Sequence, residues 1–96
     1  MYNLVVRPVA AQIARDAYEW YEEQQSGLGD LFLKELEGSF QKLEDKPYIY
    51  AVIKKNFRQQ VLKKFPYVVV FEIMDDDVVI FCIFHTSRSP RKKFIR

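Results

Sequence analysis

The sequence predicts an α+β domain of two layers, in which a helix hairpin packs on one face of a mostly antiparallel sheet. Two stretches with apolar residues at helical spacing are joined by a short glycine-containing segment at residues 24–29. One β-branched and apolar run precedes them, and three runs of strand length follow. The expected order is strand, helix, helix, strand, strand, strand, in a single domain covering residues 1–96.

The first half of the chain supplies the N-terminal strand and both helices. Residues 2–7 form the strand, and Pro8 ends it and suits the first position of a helix. The first helix places Glu22 and neighbouring acids toward solvent, opposite an apolar stripe that we assign to the core: Ala10, Ile13, Ala14, Ala17, Trp20 and Tyr21. The second helix has Asp30 in its first turn, where a negative charge is favourable, and runs to about Glu44. A short link makes the two helices antiparallel neighbours.

The second half supplies the rest of the sheet. Residues 57–63 form one strand, whereas residues 48–53 fit either a short strand or an irregular connection. A β-hairpin follows over residues 65–90, with a first strand ending at Met74, a turn at residues 75–77 and a second strand from Val78 to Phe84. Both faces of this hairpin are apolar, although a sheet with one solvated face alternates more cleanly. The face away from the helices is therefore expected to meet another chain, unless a bulge or the N-terminal strand covers it.

The composition excludes several classes of protein. With 49% hydrophobic residues the chain is globular rather than disordered. Neither an apolar run of transmembrane length nor a signal-peptide pattern is present, so we expect a cytoplasmic protein without membrane association. Cys82 is the single cysteine, and no Cys/His cluster has metal-ligand spacing. No cofactor or metal is expected, and the sequence carries no glycine-rich phosphate loop or nucleophile elbow.

Charge is distributed unevenly along the chain. Residues 1–50 carry five Lys/Arg against nine Asp/Glu, whereas residues 51–96 carry ten against four. The positive residues of the second half fall in two clusters: Lys54, Lys55, Arg58, Lys63 and Lys64, and then Arg88, Arg91, Lys92, Lys93 and Arg96. Such clusters can hold phosphates or pair with an acidic protein segment, and each is also compatible with an ordinary solvated surface.

Four stretches spread over nearly the whole chain resemble one known family. They are YNLVVRPVA, YEWYEEQQSGLGDLFLKEL, FRQQVLKKFPYVVVFEI and VVIFCIFHTSRSP. Together they resemble the RelE/ParE superfamily of toxins from type II toxin–antitoxin systems, especially the ParE-like plasmid stabilisation branch. The resemblance implies a β-α-α-β-β-β fold in which the first strand pairs with the last, and a cognate antitoxin as partner. The sequence leaves the oligomeric state open, with a dimer and a toxin–antitoxin hetero-oligomer as the alternatives.

The resemblance also implies two alternative activities, both of which inhibit growth. ParE-like members bind and poison DNA gyrase, whereas RelE-like members are endoribonucleases that cleave mRNA on the ribosome without a metal. In the RelE-like alternative His85 would be the acid or base, and Arg58 and Arg88 would grip the scissile phosphate. Further charge for phosphate or target binding comes from Lys63, Lys64, Arg91, Lys92 and Lys93.

The second proton-transfer group of a nuclease is missing from the sequence. RelE-like nucleases often have a tyrosine near the C-terminus, where this chain has Phe94, and the sequence does not place Glu72 beside His85. A ParE-like toxin needs only a basic and apolar surface. The sequence therefore favours a ParE-like toxin that binds an essential target such as DNA gyrase and is neutralised by an antitoxin. A domain of this family that has lost its toxicity is a further alternative.

Overall fold

Two helices and a mixed sheet form the two predicted layers. The structure is a computed structural model and describes residues 1–87. The elements in chain order are β1 (Asn3–Val6), α1 (Pro8–Gln24), α2 (Leu28–Asp45), a short 3-10 helix (Pro47–Ile49), β2 (Val52–Lys54), β3 (Phe57–Val61), β4 (Tyr67–Met74) and β5 (Asp77–His85). Across this described range the five strands are ordered β1-β5-β4-β3-β2, with β1 parallel to β5 and the other pairs antiparallel. The predicted α+β architecture and the pairing of the first strand with the last are confirmed.

The differences from the predicted elements are small. The stretch left open between strand and irregular chain contains the 3-10 helix and the three-residue strand β2. Strand β3 is shorter than predicted and ends at Val61. The β4–β5 turn consists of Asp75 and Asp76, because Asp77 already pairs with Met74. Asp75 has a φ of 56°, which aspartate tolerates better than most residues. Neither helix in residues 1–87 combines the length and apolar content needed to cross a membrane.

A carboxylate from α1 fixes the turn between the helices. Gly27, with a φ of 91°, lies in the left-handed region just before α2. The two carboxylate oxygens of Glu22 accept hydrogen bonds from the N–H groups of Gly27 at 2.8 Å and Gly29 at 2.9 Å. The first N–H groups of a helix have no partner within the helix, and a negative charge is favourable beside them. Glu22, predicted to face solvent, therefore ties α1 to the start of α2.

The core lies between the helix hairpin and one face of the sheet. Tyr21, Phe32, Phe65 and Tyr67 form its aromatic centre, with ring centroids of adjacent pairs 4.9 to 5.5 Å apart. The apolar stripe predicted for α1 faces this cluster through Ala10, Ala17 and Tyr21. Trp20, predicted as core, is instead 48% exposed and packs its ring edge-on against Tyr21 at 5.2 Å. Its position next to Tyr21 turns it about 100° around the helix, to the margin of the buried stripe.

A β-bulge in β5 changes which residues face the helices. Val70 pairs with Cys82 and Phe71 with Ile80, which leaves Phe81 as the extra residue. Val78 and Ile80 before the bulge and Ile83 after it all belong to the helix-facing core. Strict alternation along β5, as the sequence alone predicts, would place Ile83 on the opposite face from Ile80. The bulge instead brings both residues to the helix-facing side, so that prediction is wrong for the residues after Phe81.

The centre of the outer sheet face is covered by side chains of the sheet itself. Val70 points to this face, yet it is 0% exposed. The rings of Phe57 on β3 and Phe81 on β5 meet over β4 with a centroid distance of 4.7 Å, and the guanidinium carbon of Arg7 lies 4.5 Å from the Phe81 centroid. Phe81 in the bulge and Arg7, which follows β1, therefore shield the middle of this face together with Phe57. Its exposed apolar residues lie toward the margins, at Val5, Val61 and Met74.

Candidate functional site

The β3–β4 loop and the end of β5 lie side by side at one end of the sheet. The Thr86 N–H donates a hydrogen bond to the Pro66 carbonyl oxygen at 2.8 Å, and Tyr67 pairs with His85. We call this region, defined by Lys63, Lys64 and His85, the basic end. It is opposite the acidic β4–β5 turn. The structure thus brings three of the predicted site residues together, while Arg88, Arg91, Lys92 and Lys93 lie outside the described residues.

A glutamate of α2 holds the loop of the basic end in place. The Glu35 carboxylate accepts a hydrogen bond from the Lys63 N–H at 2.7 Å and from the Lys64 N–H at 3.0 and 3.2 Å. Glu35 contacts the backbone N–H groups of the two lysines and not their side chains, and both lysines are exposed. Among residues 1–87 no side chain pairs with either ammonium group. The loop therefore presents two positive charges from a fixed backbone.

His85 is oriented by a local hydrogen bond and by a buried ring. Its Nδ1 accepts a hydrogen bond from the Ser87 N–H at 3.2 Å, and the Ser87 Oγ lies 3.1 Å from the same atom. An Nδ1 that accepts from a backbone N–H carries no proton, so the neutral ring is protonated on Nε2. The Tyr67 ring packs edge-on against the imidazole, with centroids 5.1 Å apart and an interplanar angle of 83°.

Arg58 is distant from the basic end and has a different set of contacts. It pairs with Phe71 on β4, whereas His85 pairs with Tyr67, four residues away along the same strand. Because β3 and β5 flank β4 on opposite sides, strand geometry separates the Cα atoms of Arg58 and His85 by about 16 Å. The Arg58 Nη1 donates hydrogen bonds to the carbonyl oxygens of Tyr48 at 3.1 Å and Tyr50 at 2.7 Å. These contacts direct the guanidinium away from β5 and stabilise the turn after the 3-10 helix.

Two further groups bear on proton transfer at His85. Glu72 pairs with Val79, five residues along β4 from Tyr67, so its Cα lies about 17 Å along the strand from the level of His85. Alternation also puts Glu72 on the opposite face of the sheet from Tyr67. The Tyr67 ring packs against His85, but Tyr67 itself is buried in the aromatic core. In the part of the chain that the structure describes, no three His, Cys, Asp or Glu side chains converge as metal ligands.

A groove of about 310 Å³ lies behind the lysine loop, between α2 and the outer edge of β3. The described residues that line it are Glu35, Gly38, Ser39, Lys42, Tyr50, Gln60, Val61, Lys63 and Lys64. Gln60 is 3% exposed, and its Nε2 donates hydrogen bonds to the Ser39 carbonyl oxygen at 2.9 Å and the Tyr50 hydroxyl at 3.3 Å. Its Oε1 accepts no hydrogen bond within residues 1–87. The sequence did not reveal this groove, because its walls come from segments far apart in the chain.

This chain matches one protein-family model and is similar in fold to solved structures. The family model for the ParE toxin of type II toxin–antitoxin systems (parDE) matches residues 4–90. A search of curated proteins found no significant match. The fold is similar to that of a solved chain described as a chromosomal ParDE TA system from P. aeruginosa, with a TM-score of 0.66 and 15% sequence identity. That alignment covers 88% of this chain and 96% of the solved chain. Since the family match spans nearly all of the sequence, the chain belongs to the ParE toxin family of type II toxin–antitoxin systems.

Proposed function

We propose that this ParE-type toxin acts in the cytoplasm by binding an essential target such as DNA gyrase, and that a cognate antitoxin neutralises it. The observation that carries the proposal is the composition of the basic end: two exposed lysines on a loop that Glu35 holds in place, close to the end of β5 at His85. Such a surface can attract and hold an acidic protein region or a phosphate backbone without performing chemistry.

The positions of Arg58 and Glu72 favour binding over RNA cleavage. Cleavage without a metal needs an acid, a base and a cation around one phosphate. The Arg58 guanidinium hydrogen-bonds two backbone carbonyls and points away from His85. Glu72 lies on the other sheet face and far along β4. A binding surface, by contrast, requires only that charge and shape be presented together.

The RelE-like alternative, an endoribonuclease that uses His85, Arg58 and Arg88, stays a prediction. One observation keeps it in view: His85, whose side chain could exchange a proton with a substrate, lies at the same end of the sheet as the positive charges of Lys63 and Lys64. Under this alternative His85→Ala should abolish cleavage, because His85 is the acid or base of that mechanism.

Parallel assays separate the two activities. Regulated expression of the chain in bacteria should arrest growth. Purified protein should then inhibit gyrase supercoiling and leave mRNA on translating ribosomes intact. We expect the double variant Lys63→Gln/Lys64→Gln to lose inhibition, the single variants Lys63→Gln and Lys64→Gln to lose part of it, and His85→Ala to retain most of it. Lys55→Gln, at the opposite end of the sheet, is the charge-matched control for the single variants. Cut mRNA together with unaffected gyrase would overturn the gyrase proposal and favour the nuclease.

The antitoxin is tested separately from the target. A ParE-type toxin is expected to have a short neighbouring reading frame that encodes an acidic, helix-rich protein. Co-expression of that protein should restore growth and give a complex that co-purifies, and light scattering of the complex and the free chain would determine the oligomeric states. Growth arrest that persists despite abundant soluble neighbour protein would contradict the antitoxin assignment while leaving the toxin assignment intact.

A further inference from the structure

The outer edge of β3 is open beside the groove. Strand β2 pairs with β3 only at Phe57 and Arg58, and the Gln59 N–H reaches the Ala51 carbonyl oxygen at 3.2 Å. In an antiparallel pair alternate residues point their N–H and C=O groups to the same side, so the next groups facing outward belong to Val61. In residues 1–87 no strand lies beside Val61, which is 59% exposed. An open strand edge is a template for an added extended segment.

The groove next to this edge carries an excess of positive charge. Among residues 1–87, Lys42, Lys63 and Lys64 line it together with one acid, Glu35, so these lining residues carry a net charge of +2. The Glu35 carboxylate already accepts hydrogen bonds from the loop N–H groups. Within the described range no side chain pairs with the ammonium groups of the three lysines. The charges of the groove are therefore complementary to an acidic segment.

One wall of the groove is a helix surface without a side chain. Gly38 lies inside α2 and lines the groove. A Cβ added at this position would meet nothing within 4 Å. No contact within residues 1–87 therefore requires glycine at this helix position, where glycine is unfavourable. A bare Cα does, however, allow the backbone of a ligand to approach the helix closely.

The floor of the groove favours a peptide over a nucleic acid. The Gln60 side chain is buried with an Oε1 that accepts no hydrogen bond from residues 1–87. The phosphodiester groups of a nucleic acid bring only acceptors, and its donors lie on the bases and, in RNA, the 2′-hydroxyls, whereas every residue of an extended peptide except proline brings a backbone N–H that can satisfy such an oxygen. Because the Oε1 atom is covered, a donor reaches it only after a small movement of the groove lining. Val61 and Tyr50 add apolar contact area that suits the alternate side chains of an extended peptide.

We propose that this groove binds an extended acidic peptide segment of a partner protein. The segment adds as a strand to the open edge of β3 at Val61, places its carboxylates on Lys42, Lys63 and Lys64, and passes over Gly38. The inference rests on the proposed function, because Lys63 and Lys64 of the basic end also line the groove, and it adds the open strand edge, Lys42 and Gly38 as the parts that hold an extended partner segment.

The test uses amide NMR spectra of the isotope-labelled chain. The probe is a short synthetic peptide of alternating Glu and Val with blocked ends. The same peptide with Lys in place of Glu is one control, and a single-stranded oligothymidylate is the other. We expect the acidic peptide to shift the amides of Gly38, Ser39, Val61, Lys63 and Lys64 and the side-chain amide of Gln60, with an affinity that falls as salt rises. The basic peptide should leave these signals unchanged.

Matched variants assign the binding to the groove. Each single lysine variant should lower the affinity for the acidic peptide about two- to fivefold, as expected for exposed charge pairs. These variants are Lys42→Gln, Lys63→Gln and Lys64→Gln. Lys55→Gln, which removes a lysine at the opposite end of the sheet, should leave the affinity unchanged. Gly38→Gln should keep the fold, as judged by unchanged core signals, and lose most of the binding. Stronger shifts with the oligothymidylate than with the acidic peptide, or peptide shifts confined to other surfaces, would overturn the proposal, as would the absence of any shift.

Discussion

The two glycines inside α2 are expected to respond in opposite ways to alanine. At Gly38 an added Cβ meets nothing within 4 Å. Gly38→Ala therefore removes only the unfavourable conformational entropy of glycine in a helix, which stabilises the fold by about 0.5–1 kcal/mol. At Gly29 the Cβ would lie 2.7 Å from the Tyr18 carbonyl oxygen and 2.8 Å from the Glu22 Oε1. Both distances are far below van der Waals contact.

The loss of stability expected for Gly29→Ala depends on which of the contacting groups must move. The Tyr18 oxygen belongs to the backbone of α1, so relieving that contact separates the helices rather than rotating a side chain. Glu22 can withdraw, but it then loses its 2.9 Å hydrogen bond to the Gly29 N–H. Overpacking costs about 1–3 kcal/mol and a lost hydrogen bond about 1 kcal/mol, against a gain of about 1 kcal/mol from helix propensity. The net destabilisation expected for Gly29→Ala is about 1–3 kcal/mol.

Thermal and urea unfolding followed by circular dichroism measure both effects. For a chain of this size about 1 kcal/mol corresponds to roughly 4–8 °C in Tm. Gly38→Ala should therefore raise Tm by about 2–8 °C, and Gly29→Ala should lower it by at least about 4 °C, with the urea m value unchanged. The two sites are far enough apart along α2 that the double variant should be additive. A Gly29→Ala protein as stable as the parent would refute the close helix approach, and a destabilised Gly38→Ala protein would refute the open space at that position.

The remaining predictions concern polar groups whose roles the structure assigns. Glu35→Ala should destabilise the fold by about 1–2 kcal/mol and accelerate hydrogen exchange at the two loop N–H groups that it binds, whereas an unchanged exchange rate there would contradict the role of Glu35. Arg58→Gln should lower the free energy of unfolding by about 0.5–1.5 kcal/mol, because the carbonyl oxygens of Tyr48 and Tyr50 lose their donor. Such a loss of stability is not expected if Arg58 only binds phosphate. The pKa of Tyr18 is raised above 10.0, first by the charge of Asp30 and then by that of Glu22, so ultraviolet titration should show a lower pKa in Asp30→Asn. Because the raised pKa belongs to the folded state, stability should fall as the pH rises from about 10 through that pKa.

The element order was predictable because it depends on local patterns. The period of the apolar residues distinguishes helices from strands, and Pro8 marks the start of α1. The bulge at Phe81 was not predictable from one sequence. It inserts a residue without any composition signal, and it reverses the facing of every later residue in β5. The shielding of the outer face by Phe57, Phe81 and Arg7 depends on that bulge, so it could not be inferred either.

The candidate site was predictable only in part, for a related reason. Sequence clustering groups Arg58 with Lys63 and Lys64, but the β3 pairing carries Arg58 toward the 3-10 helix. Lys42 was missed because it lies on α2, in the acidic half of the chain, and reaches the same groove only through helix–sheet packing. The sequence offers no local signal for such a contact.

Some charged side chains of this chain hydrogen-bond backbone groups of the fold, whereas others do not contact the rest of the fold through their charge. Charged groups of the second kind are the ones expected to bind other molecules. Arg58, Glu22 and Glu35 look like surface charges in the sequence, yet each one satisfies backbone groups of a neighbouring segment. Removing them is therefore expected to alter stability before it alters recognition. Lys63 and Lys64 have the opposite character, because their backbones are fixed by Glu35 while no side chain in residues 1–87 pairs with their ammonium groups. A variant that changes these ammonium groups changes binding with little effect on the fold, which makes the lysine loop, rather than the arginine on β3, the place to test recognition by this toxin.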